Sequence, residues 1–98
     1  MKIKLWHVKL RDLIRVCNKQ GISVKFVPDA KTRDYCGMNP LAAKTMGYKM
    51  PQKTFYVDRN QSNEDKYHIL KHELIEYNLM KDKNMKYFPA HEIALDNE

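Results

Sequence analysis

The stretch HILKHELIEYNLM, residues 68 to 80, limits the fold more than any other part of the chain. Wound at about 100° per residue, it is apolar on two sides. Ile69, Ile75, Leu79 and Met80 fall on one, Leu70, Leu74 and Tyr77 on the other, and only a narrow strip with Lys71 and Asn78 suits water. Such a helix has to be largely buried, so the rest of the chain must supply layers on both sides of it. Ser62 opens a capping-box-like SNED, which predicts a helix over 63–81, and DKNMKYF breaks it.

The flanking segments supply those layers. Trp6, Leu10, Leu13, Ile14 and Cys17 recur at helical spacing and predict an amphipathic helix over 4–19, with Gly21 as its stop. Ile22, Val24 and Phe26 alternate with Ser23 and Lys25, as in a half-buried strand that ends at Pro28. Residues 29–53 read as irregular except for a short helix at 40–46, where Asn39 can cap, Pro40 suits the first helical position and Gly47 ends it. KTFYVD at 53–58 is rich in strand-forming residues. Pro89 is expected to start a last helix reaching toward residue 96. The expected fold is α+β: one small domain, 1–98, with two or three short strands packed against an N-terminal helix, a long helix and a short C-terminal helix.

A chain of 98 residues has one modest core and buries a little over roughly 60% of its unfolded surface. No apolar run approaches the roughly 18 residues of a membrane span, and MKIKLWHVKLRDL has no continuous apolar region of a secretory signal. Cys17 and Cys36 lie in dissimilar contexts without CxxC spacing, as expected of two reduced thiols in a cytoplasmic protein. The net charge of +6 is uneven: residues 1–59 hold thirteen Lys/Arg against four Asp/Glu, and residues 60–98 hold five against eight. A basic half can face nucleic acid or an acidic partner. The lysines are scattered, however, without interleaved aromatic residues, so a solvated face is favoured over a nucleic-acid surface.

Within the long helix, His72, Glu73 and Glu76 spell HExxE. His72 and Glu76 are separated by about 40° around the axis, one turn apart on a single face. A His and a carboxylate in an apolar arc are costly unless paired or metal-bound. Side chains at i and i+4 can converge on one cation, and Glu73, at the edge of the arc, can reach a metal-bound water without being a ligand. A catalytic zinc takes three protein ligands and keeps one position open, and His2Glu is one established set. The second His is best supplied by His91 of AHEIAL, with fourteen residues between it and Glu76; Glu92 and His68 compete for the place. Without a metal, His72 would be a core histidine bonded to Glu76 or a backbone carbonyl, with Glu73 exposed.

At HELIE and AHE the sequence resembles the zincin metallopeptidases, and its size is closest to the minimal gluzincin-type members, the minigluzincins. The likeness is looser over KTFYVDR and the N-terminal helix. It implies a zinc-dependent hydrolase of peptide or protein substrates, with one zinc per chain, His72 as first ligand and Glu73 activating a metal-bound water. It also puts the 53–58 strand near the substrate cleft. The family has HExxH and a later Glu ligand, whereas this chain has Glu76 and, nearest the later position, His91. If both are ligands, the set is still His2Glu with two positions exchanged. Tyr87, Tyr77 and His68 are available as transition-state stabilisers. Minimal members can be latent, with a terminal segment in the cleft, a part LDNE at 95–98 could take. The rival expectations are an inactive metal-binding or assembly module of phage or archaeal type, and a basic nucleic-acid-binding domain.

Overall fold

The computed structural model describes residues 2–33 and 35–97. The chain forms α1 (Lys2–Lys19), β1 (Ser23–Val27), α2 (Asp29–Thr32), β2 (Gly37–Met38), α3 (Pro40–Thr45), β3 (Thr54–Asp58), α4 (Asn63–Asp82) and α5 (Tyr87–Asn97). The helix ends follow local chemistry. Gly21, at φ +79°, closes α1 with N–H bonds from Gly21 to the Asn18 carbonyl and from Ile22 to that of Cys17, the glycine-terminated Schellman pattern. Asn39 caps α3, accepting from the Leu41 and Ala42 N–H groups, and the Ser62 hydroxyl caps α4 by accepting from Asp65 N–H.

Three strands form one sheet in the order β1-β3-β2. β1 runs parallel to β3 with Ser23 opposite Thr54, and the parallel pairing requires the long crossover that α2, β2 and α3 occupy. β2 pairs antiparallel on the other side of β3, Gly37 opposite Val57. Alternation along β3 separates two cores. Phe55 and Val57 are fully buried with Leu10, Cys17, Ile22, Leu70, Leu74 and Tyr77 between α1, α4 and the sheet. Tyr56, on the opposite face, packs on the Met38, Ala42 and Ala43 cluster together with Tyr87.

The long helix is enclosed as its composition requires. α4 packs against α1 and α5, and also against β3, α3 and β2, and from Lys66 to Met80 none of its residues is exposed. Ala90 and Ala94, both fully buried, bring α5 close to it. The α+β layout with three short strands holds, but two expectations need adjustment. α5 begins at Tyr87, so Pro89 lies within its first turn, where an N–H has no helical partner to lose. The crossover holds an extra turn, α2, and the two-residue strand β2, both too short to carry a periodicity. Among the described residues no helix is long and apolar enough to cross a membrane.

Both cysteines are free thiols. Burial pushes the Cys17 thiol up to about 11, so it stays protonated and shielded at neutral pH, whereas Cys36 is only half-buried. A colorimetric thiol reagent is therefore expected to modify Cys36 alone in the native protein and Cys17 only on unfolding. Two fast-reacting thiols in native buffer would contradict this packing.

Candidate metal centre

α4 carries His72 and Glu76 one turn apart, and the turn after it brings a third group back. Lys83 and Met85 N–H both reach the Leu79 carbonyl, and Asn84 takes the left-handed conformation at φ 53° that a short polar side chain tolerates. α5 then packs along α4 and places His91 at the same spot. His72 Nε2 lies 3.2 Å from Glu76 Oε2 and 3.2 Å from His91 Nδ1, and His91 Nδ1 lies 2.8 Å from the same Glu76 oxygen.

No arrangement of two-centre hydrogen bonds satisfies all three contacts while the carboxylate is ionised. Each imidazole must point a proton at Glu76, which leaves two N–H groups facing each other across 3.2 Å. A cation makes all three contacts favourable at once. Nitrogen and oxygen ligands at about 2.0–2.2 Å and tetrahedral angles are separated by about 3.3–3.6 Å, close to the two 3.2 Å separations, while the 2.8 Å His91–Glu76 pair would have to open around an ion. The His72, Glu76 and His91 group could hold a metal ion.

Glu73 is buried beside this group without joining it. Its Oε1 accepts from Asn39 Nδ2 at 2.9 Å. The same amide nitrogen donates to Glu76 Oε1 at 3.0 Å. Removal from water, reinforced by the Glu76 charge and opposed by His72 and Asn39, pushes the Glu73 carboxyl up to about 8. Tyr87, one turn before His91 on α5, stacks on that imidazole with its hydroxyl 3.4 Å from His91 Nδ1. Burial, followed by the charges of Glu76 and Glu73, pushes the Tyr87 phenol up to about 12, so it remains a proton donor at neutral pH.

A cavity of about 490 Å³ opens over these groups, walled by residues 35–38 and by Ile69, Tyr87 and Leu95. β2 passes close to the carboxylate: a Cβ added at Gly37 would lie 2.5 Å from Ile69 Cγ2 and 3.3 Å from Glu73 Cγ. Gly37→Ala is therefore expected to cost about 1–3 kcal/mol by overpacking, read as a lower urea midpoint. An unchanged midpoint would show that the strand can back away.

The structure sorts the remaining sequence candidates. His68 lines the cavity one turn before His72 and packs on Trp6 with ring centroids 5.3 Å apart; it does not join the three-residue group. Glu92 is exposed and also stays outside that group. Tyr77 is in the main core, edge-on to Phe55, and does not line the cavity. Glu73 is buried, against the exposed position expected without a metal. The cleft is bordered by β2 and not by the 53–58 strand, because β2 takes the edge and leaves β3 in the sheet centre. Of LDNE, Leu95 lines the cavity and Glu98 lies outside the described residues. Asn39 was legible in the sequence only as a helix cap, since nothing local links it to residues 34 and 37 positions away. Comparison with family models, curated proteins and solved structures finds no match to this chain.

Proposed function

We propose that the protein is a zinc-dependent hydrolase of peptide bonds, with zinc held by His72, Glu76 and His91. One observation carries the reading: three convergent ligand atoms lie beside a buried carboxylate that is not one of them, under an open cavity. Two imidazoles and one carboxylate are an established hydrolytic zinc set that leaves a position open. When bound, zinc lowers the pKa of a water and polarises a carbonyl.

The chain's own residues supply the other parts. Glu73, drawn down to its carboxylate form beside a bound cation, would take the proton of the attacking water and deliver it to the leaving amine. Its Oε1 is occupied by Asn39, which leaves Oε2 for that transfer. The Tyr87 hydroxyl, beside His91 Nδ1, would donate to the oxygen that gains charge as the carbonyl is attacked. The apolar walls given by Met38, Ile69 and Leu95 limit water and accept a substrate side chain.

A second reading has its own support. The ligands come from two different helices, α4 and α5, so an ion there would also tie α5 down in a protein with no chemistry. Elemental analysis and cleavage of a quenched peptide library separate the cases. About one zinc per chain, absent from His72→Ala and His91→Ala, with zinc-dependent cleavage, is expected. Zinc without cleavage leaves the binding module, and no zinc uptake removes both.

A further inference from the structure

Asn39 has no exposed surface and uses all the bonding capacity of its amide. Its Oδ1 accepts from Leu41 N–H at 3.1 Å and from Ala42 N–H at 2.9 Å. Two donors on the oxygen fix which end of the amide is which, because the flipped group would set NH2 against N–H. The nitrogen must then face α4, and its two hydrogens meet Glu73 Oε1 at 2.9 Å and Glu76 Oε1 at 3.0 Å. One neutral amide thus holds two buried carboxylates that repel each other, engaging one oxygen of each.

That division has a chemical result. With Oε1 engaged, Glu76 offers Oε2 alone to His72 and His91, as a one-oxygen ligand. Glu73 is held back from the group, with its other oxygen on the β2 side, where a Cβ on Gly37 would be 3.5 Å from it. Without the amide, both oxygens of Glu76 could turn to one ion, and Glu73 could swing in as a further ligand.

We propose that Asn39 is the positioning residue that sorts the two carboxylates, keeping Glu76 a one-oxygen zinc ligand and Glu73 a free base. The proposal rests on the zinc reading. Groups that orient metal ligands in this way are worth about 10–100-fold in metal affinity.

Asn39→Asp separates this role from capping, because a carboxylate still accepts from Leu41 and Ala42 but cannot donate to Glu73 or Glu76. Asn39→Ser keeps a capping oxygen without adding charge, and covers the case in which three adjacent carboxylates prevent folding. Each variant is titrated with zinc against a chromophoric chelator, and with cobalt, whose visible absorption reports coordination number. The expected result is a loss of about 10–100-fold in zinc affinity and a weaker cobalt band, as four-coordination gives way to a higher number. Tight zinc binding by wild type, matched by both variants with the same cobalt spectrum, overturns the proposal while leaving the zinc reading intact. Wild type that takes up neither ion removes the zinc reading and the proposal with it.

Discussion

Glu73→Gln is expected to lower peptide cleavage by about 10²–10⁴-fold, the usual worth of a general acid–base group, while zinc content stays near one per chain. The substitution keeps the shape of the side chain, and its oxygen can still accept from Asn39 Nδ2, as Glu73 Oε1 does at 2.9 Å. What it removes is the proton acceptor. The same variant has a signature in the metal-free protein. The folded Glu73 carboxyl is pushed up to about 8 from an ordinary 4.5, so between those values the fold retains a proton that the unfolded chain has released. Stability from this group is therefore full below about pH 4.5 and is lost as pH rises through about 8. Glu73→Gln removes that slope and makes the metal-free protein more stable than wild type at pH 8. Equal activity in the variant would take Glu73 out of the chemistry, and equal pH slopes would contradict its burial.

Zinc is expected to stabilise the fold as strongly as any single change described here. Free zinc at a thousandfold excess over Kd adds about 4 kcal/mol. In a domain of this size, each kcal/mol moves Tm by roughly 4–8 °C, so the midpoint should rise on the order of 15–30 °C and fall back with chelator. His91→Ala should abolish the rise. It should change the metal-free midpoint far less, because α5 is held by the buried Ala90 and Ala94 and the His91 side chain is about one-third exposed. A midpoint unmoved by zinc in wild type would show that the three side chains do not bind it together.

These effects trace to features of different legibility. The enclosed α4 was readable because Leu70, Leu74 and Tyr77 lie opposite Ile69 and Ile75, and a helix with two apolar sides needs neighbours on both. His91 could be proposed as a partner for His72 and Glu76 because the unpaired polar arc demanded one and AHE lay within reach. β2 was hidden because Gly37 and Met38 become a strand only through pairing with β3, a tertiary effect without local periodicity. Asn39 was half legible. Its capping role follows from Pro40 next to it, whereas its bonds to Glu73 and Glu76 depend on where the crossover places α3 beside α4.

The unequal burial of the three side chains sets how an ion would come and go. Exposure is 10% for the His72 side chain and 2% for Glu76, against 34% for His91. Two of the groups belong to the most enclosed helix of the molecule, and the third belongs to an outer one. Exchange with solvent would therefore be expected to start at His91, by partial undocking of α5, before α4 unfolds. With zinc bound as proposed, its dissociation rate would be a clock for that opening, set by the packing of Ala90 and Ala94 on α4 as much as by the ligand bonds.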